Sequence, residues 1–246
     1  MFPQLYHAHH NRYLDDVPFW LELALQTGSP VLELGCGTGR VLIPLAEAGH
    51  HMIGLDHDPS MLKFLRNNLD AKSIFPPLVF VADLSKFHLT AQFPLILLPC
   101  NTFSALGESQ RKACLKCADM HLKPGGIFAV SMPNPEVILR LPATSEAEIE
   151  DEFFHPLTGN PVQVSSSWRR TKQSFILSWI YDHLFPDGTV EHMVVETVHE
   201  MTPLNTILGE FQNAGLMVSE VYGDFDRSGY TPESPHLILL ATNDRY

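Results

Sequence analysis

The sequence predicts an α/β protein: a doubly wound, mostly parallel sheet of seven strands, with a small antiparallel β insertion late in the chain. Three observations carry this reading. Short, wholly apolar runs such as Leu95-Ile96-Leu97-Leu98 read as strands buried on both faces. Helical segments separate them, opened and closed by aspartate, proline and glycine. The last two apolar runs, 217–222 and 236–241, follow one another without a helix between them, as an antiparallel pair would.

Taken in order, residues 17–26 are apolar at helical spacing and stop before Gly28, which makes a helix feeding the first strand. The preceding residues include Tyr6, His7, His9, His10 and Tyr13. No clustered carboxylate or cysteine joins the histidines, so they read as part of a mobile N-terminal arm and no metal is assigned. Val31 to Leu34 form the first strand and a helix begins near Val41. Gly35, Gly37 and Gly39 alternate between them, where the backbone must bend sharply and where a ligand can lie close. The turn is expected to leave backbone N–H groups free for a polar or anionic ligand.

A dinucleotide-binding turn reads G-x-G-x-x-G, but position 40 is Arg40. The pattern is instead acid-x-G-x-G-x-G, with Glu33 supplying the acid. The helix runs to about residue 48, Gly49 closes it, and 51–55 is the second strand. Asp56 stands at its carboxyl end, about 20 residues after Gly35, the spacing at which such folds place the acid that holds ribose hydroxyls. A carboxylate suits that task because it accepts two hydrogen bonds from neighbouring hydroxyls. Asp58 and Pro59 then cap the next helix.

Residues 78–82 are the third strand, followed by Asp83 and Leu84, and 95–98 the fourth, followed by Pro99-Cys100-Asn101-Thr102-Phe103. A helix over 110–122 leads to the fifth strand at 127–130, and a helix over 204–214, closed by Gly215, precedes the final pair. Residues 1–139 and 201–246 therefore read as one domain, and 140–200 as an insertion. In the insertion, 146–154 is acidic and read as helical, while alternating runs at 162–168, 175–181 and 192–198 read as a three-stranded meander. Too small to be a domain of its own, it should lie over the carboxyl edge of the main sheet. There it can cap a substrate pocket or pair two copies as a homodimer.

Composition narrows the function. A hydrophobic share of 45% with 18% charged residues suits a folded globular chain. A net charge of −12 argues against a nucleic-acid partner, which needs a basic face. The densest basic stretch, Arg169, Arg170 and Lys172, reads as a solvated strand end. No apolar run is long enough to span a membrane and no signal-peptide pattern opens the chain, so the expected location is cytoplasmic. Cys114 and Cys117 form a lone C-x-x-C inside a helix, short of the ligands a zinc site needs.

The run Glu33-Leu34-Gly35-Cys36-Gly37-Thr38-Gly39 resembles motif I of the class I S-adenosylmethionine-dependent methyltransferases of the small-molecule type, a Rossmann-like fold. The Leu122-Lys123-Pro124-Gly125-Gly126 entry to strand five is similar to that family's, and the likeness covers about residues 10–135 and 200–244. It implies S-adenosyl-L-methionine as cofactor. It implies that Glu33, Gly35, Cys36, Gly37 and Gly39 pass under the methionine part, and that Asp83 and Leu84 receive the adenine. It further assigns Asp56, His57, Met61 and Pro99 to the cofactor site, and Tyr13, with Tyr6 as the competing choice, as a cover on the cofactor. Jointly these loops should grip the cofactor around one hollow at one sheet edge.

The acceptor implied is a small molecule methylated on N or O. Asn101, Phe103, Trp179 and Tyr222 are the candidate substrate contacts. Some sugar-amine N-methyltransferases that this chain resembles carry a histidine where Ala105 stands here. The base is therefore left open, with Asp224, Asp226 and His199 as alternatives. The competing functions are a protein or RNA methyltransferase and a catalytically silent cofactor-binding partner subunit.

Overall fold

The computed structural model describes residues 2–69 and 75–243. Its main sheet has seven strands: β1 (Val31–Leu34), β2 (Met52–Asp56), β3 (Leu78–Val81), β4 (Phe93–Leu98), β5 (Leu122–Pro133), β10 (Leu216–Tyr222) and β11 (His236–Asn243). Strands β6 to β9 form the second sheet described below. The spatial order β10-β11-β5-β4-β1-β2-β3 reverses direction at β1 and β4, so the carboxyl ends of both strands open on one crevice. Strands β1 to β5 run parallel and β11 enters antiparallel between β5 and β10.

Alternation along each central strand sends side chains to two layers. On one side Leu32, Leu34, Ile96, Leu98, Phe128 and Val130 pack on helices α5 (Glu108–His121) and α7 (Leu204–Asn213). On the other, Val31, Leu95, Leu97 and Ala129 pack on α2 (Val17–Thr27), α3 (Leu42–Glu47) and α4 (Pro59–Asn68). Cys114 and Cys117 both face the sheet from α5, which accounts for their spacing as a buried helix stripe. No described helix is long and apolar enough to cross a membrane.

Two expectations are corrected. The N-terminal arm is the helix α1 (Phe2–His10), held by buried ring contacts: His9 Nδ1 meets the Tyr181 hydroxyl at 3.1 Å and packs edge-on against Trp179. Residues 146–154 are not helical. Glu148–Phe154 is strand β6, because its neighbour β7 (Pro161–Arg170) offers a ladder and Phe153 can be buried on Val162, Val164 and Tyr181. With β8 (Ser174–Leu184) and β9 (Val190–Glu200) the insertion is a four-stranded antiparallel sheet in the order β6-β7-β8-β9. A four-residue helix α6 (Pro135–Ile138) leads into it.

The return from β9 to α7 is fixed by one ion cluster. Arg111 on α5 forks onto Glu210 of α7, Nε to Oε2 at 3.0 Å and Nη2 to Oε1 at 2.9 Å, and its Nη1 donates to Glu200 of β9 at 2.9 Å. Arg111 and Glu210 are 2% and 4% exposed, so removing one partner strands a charge in the interior. Arg111→Leu should therefore lower the unfolding free energy by about 3–5 kcal/mol, read as a fall in the urea midpoint. An unchanged midpoint would show that the cluster holds nothing.

Candidate active site

The site starts at the turn after β1. Gly35, Gly37 and Gly39 all have positive φ, at 73°, 53° and 91°. A Cβ on Gly35 would lie 2.9 Å from Thr102, so the bare backbone lets the loop after β4 close onto the turn. At Gly37 a Cβ would meet only Asp56 Oδ2 at 4.0 Å and would project into open space. Four of the turn's N–H groups are engaged within the fold. Gly35 and Cys36 both donate to Leu55 O, Gly39 donates to Cys36 O, and Gly37 donates to Asp56 Oδ2 at 2.8 Å. Three of these four N–H groups are spent on β2 and the fourth closes the turn on itself.

Asp56 is thereby oriented. Its Oδ1 accepts from the N–H of Asp58 at 2.8 Å and its Oδ2 from Gly37, which leaves one lone pair on each oxygen. That is the donor-acceptor pattern two vicinal hydroxyls require. His57 is exposed, 3.6 Å from Asp56 Oδ1, and Met61 is buried in the first turns of α4. Asp83 closes the turn after β3, accepting from Ser85 N and Oγ and pairing with Lys86, which holds its carboxyl down at about 2. Leu84 is buried in the core beside it.

Glu33 lies beneath the turn, 1% exposed, with Oε2 lacking any hydrogen-bond partner. Burial pushes its carboxyl up to about 8, against the opposing pull of Arg40. Arg40, in the place of a third nucleotide-binding glycine, forks onto Asp16 with two contacts of 2.6 Å. It also donates to Tyr13 O at 2.7 Å and to Cys100 Sγ at 2.8 Å. Asp16 accepts from Trp20 Nε1 as well, so the turn, α2, the N-terminal segment and the end of β4 meet at one guanidinium. Cys100 and Asn101 are consecutive non-glycine residues at φ 61° and 65°, a costly conformation of the kind that gathers at functional sites.

Beside this knot lies a cavity of about 980 Å³. Asn101, Thr102 and Ala105 form its sheet-edge wall, Trp179, Tyr181 and His199 of the insertion the facing wall, and Tyr6 and His10 of α1 a third side. Asp15, Asp16, Asp224 and Asp226 also border it. Of the residues read from sequence, Tyr13, Asn101 and Trp179 reach this space, as do Tyr6, the competing choice to Tyr13, and the three alternative bases His199, Asp224 and Asp226. Tyr13 is 52% exposed, whereas Tyr6 is partly buried.

Two candidate contacts are corrected. Phe103 is sealed in the core against Phe211, with no face on the cavity, because the short 3₁₀ turn Phe103–Ala105 points it inward. Tyr222 packs on Phe19 behind the wall. Nor do Glu33, Asp56, Asp83 and Pro99 line this cavity: α1 crosses the glycine turn, His7 Nδ1 reaching Thr38 Oγ1 at 3.2 Å and its ring packing on Phe64. Sequence reasoning missed Arg40, Asp16, Tyr181 and His10 as site-builders. The same-face alternation of Trp179 and Tyr181 was the available signal for one of them.

Glu33 gives a pH test. Its folded proton affinity exceeds the ordinary carboxylate's, so the folded state holds a proton that the unfolded state has released between about pH 4.5 and 8. Stability should fall as pH rises through that window, by up to about 1.4 kcal/mol per pH unit. Denaturant titrations of the wild type and Glu33→Gln from pH 5 to 8 should diverge in that sense, and parallel curves would contradict it.

The comparisons with known proteins agree with this geometry. Residues 31–126 match the family model described as a methyltransferase domain. YqeM of Bacillus subtilis (strain 168), which carries a provisional methyltransferase name, is 25% identical over 231 residues, covering 92% of this chain and 89% of YqeM. A solved S-adenosylmethionine-dependent methyltransferase from Clostridium acetobutylicum ATCC 824 shares the fold with a TM-score of 0.82 at 15% identity, covering 98% and 97% of the two chains. The sugar N-methyltransferase KedS8 from Streptoalloteichus sp ATCC 53650 does so with a TM-score of 0.78 at 16% identity, covering 100% and 93%. The open space above Gly37 and the spare lone pairs of Asp56 suit a nucleoside cofactor, and the match spans the strand, turn and acid that provide them. Residues 31–126 thus match a methyltransferase domain, and the chain has the fold of S-adenosylmethionine-dependent methyltransferases of known structure.

Proposed function

We propose that this methyltransferase acts on the nitrogen of a small, cationic amine. The carrying observation is the chemistry of the cavity wall. Three carboxylates, Asp15, Asp224 and Asp226, border a space enclosed by Tyr6, Trp179 and Tyr181, and a fourth, Asp16, is spent on Arg40. The one lysine or arginine among its described lining residues, Arg40, is already forked onto Asp16. Acidic groups and aromatic faces together attract a cation and do nothing for a carboxylate or phosphate. A volume of about 980 Å³ suits a small molecule rather than a polymer groove. The fold shared with KedS8, a sugar N-methyltransferase, supports a nitrogen acceptor.

When bound, the cofactor supplies an already activated sulfonium methyl group. The chain's own part is to seat it and bring the acceptor to it. Asp56 would hold the ribose hydroxyls, with Gly37 leaving the room, while Asp83 and Leu84 would receive the adenine. Tyr6 and Tyr13 would cover the methionine end. The strained Cys100-Asn101 pair would face the methyl group, where Asn101 can orient the acceptor through its amide. The insertion would exclude water by closing the acceptor side, since the reacting atoms must come within about 3–3.5 Å.

A screen with labelled S-adenosylmethionine over amino sugars, short peptides with free N-termini, phenols and carboxylates should label amines and leave phenols and carboxylates unlabelled. Labelled phenols or carboxylates would contradict the proposal. Tight S-adenosylhomocysteine binding with no labelled acceptor would instead fit a silent partner subunit. Asp56→Ala should weaken S-adenosylhomocysteine binding by about 1–3 kcal/mol in calorimetry, and unaltered affinity would remove Asp56 from the site.

A further inference from the structure

We infer that His199, on the insertion strand β9, is the general base that deprotonates the amine acceptor; this rests on the amine reading above. Ser104 Oγ donates its one proton to Asn101 O at 2.8 Å. His199 Nδ1 stands 2.9 Å from the same oxygen. With the hydroxyl proton already spent, Nδ1 must carry the hydrogen and donate it to the Ser104 lone pair. The neutral ring therefore keeps its lone pair on Nε2. A base needs its free nitrogen fixed in this way, with the other nitrogen held by a donor-acceptor partner.

Placement agrees with that tautomer. Along β9 the residues Val195, Thr197 and His199 face the cavity, while Val194 and Val198 are exposed on the other side. His199 enters over the 3₁₀ turn Phe103–Ala105, and Ala105, small and bordering the cavity, leaves the space that a larger side chain would take. The ring is backed by Phe175 and is 6% exposed. Burial lowers its pKa, which keeps the base form present at neutral pH. The titratable groups that share the cavity are Asp224, Asp226 and His236 on one side, Tyr6 and His10 on α1, Tyr13, Asp15 and Asp16 with Arg40 and Cys100, and Tyr181 of the insertion. Glu200, next in sequence, is engaged by Arg111.

The step balances without any further reactant. An ammonium proton of the acceptor passes to His199 Nε2, and the freed nitrogen lone pair forms the new N–C bond. The methyl carbon's bond to sulfur breaks as it forms, its electron pair returning to sulfur. The imidazolium then gives its proton to water through the cavity mouth. Ser104 is a positioning residue, since it acts only by fixing the ring.

The test uses the full-length protein and the amine that the screen labels fastest. His199→Gln should bind S-adenosylhomocysteine as the wild type does and lose about 100- to 10,000-fold in kcat at pH 7. Its rate should climb with pH toward the acceptor's own ammonium pKa, where no base is needed, whereas the wild-type rate should already be level. A packing role for the histidine would not produce that difference in profile. Independently of turnover, nitrogen-15 spectra of the imidazoles should show His199 as the Nδ1–H form in the wild type and shift in Ser104→Ala. An Nε2–H form, or a His199→Gln enzyme with wild-type kcat and pH profile, would overturn the assignment. A wild type that labels no amine would overturn the amine reading itself, and this assignment with it.

Discussion

The fork between Arg40 and Asp16 is the interaction on which the site depends. One guanidinium reaches the first residues before α2, the backbone of Tyr13 and the sulfur of Cys100, while being anchored in the glycine turn. Charge-assisted bidentate pairs fix direction as well as distance, so three chain segments that are remote in sequence inherit one geometry. The fork also removes the cavity's positive charge from circulation. What remains to meet a ligand is carboxylate and aromatic surface.

Around that fork the turn and the loop after β4 constrain each other. Gly35 must be bare for Thr102 to approach, and Thr102 is brought there by two residues held in left-handed conformations. Such strain persists only where neighbours over-determine it. Here the neighbours are Arg40 on Cys100 and Ser104 on the Asn101 carbonyl. The same serine meets His199, so the loop that shapes one cavity wall also sets the tautomer of the ring across from it.

Much of this was legible in the chain. Strand ends, the acid after β2 and the alternation of β8 are local features, and local features survive into sequence patterns. What failed was tertiary. The arm at residues 2–10 reads as polar and unanchored until Tyr181 and Trp179, far along the chain, supply partners for His9. The Glu148–Phe154 segment looks helical by charge until β7 offers it a ladder. Phe103 sits in the loop after β4, beside Asn101 and Thr102 of the cavity wall, yet its turn aims it into the core. The N–H groups of Gly35, Cys36 and Gly37 are taken by Leu55 and Asp56, which no spacing argument reveals.

The account's central claim is that the cofactor lies along the turn and delivers its methyl group into the acid-lined cavity, not that the cavity itself holds the cofactor. A crystal structure of the complex with S-adenosylhomocysteine tests this most directly. The account predicts ribose hydroxyls on Asp56, the nucleoside beside Gly37 with α1 still covering it, and the sulfur facing Asn101 across the cavity wall. A nucleoside lodged against Trp179 and Asp224, with Asp56 untouched, would contradict it.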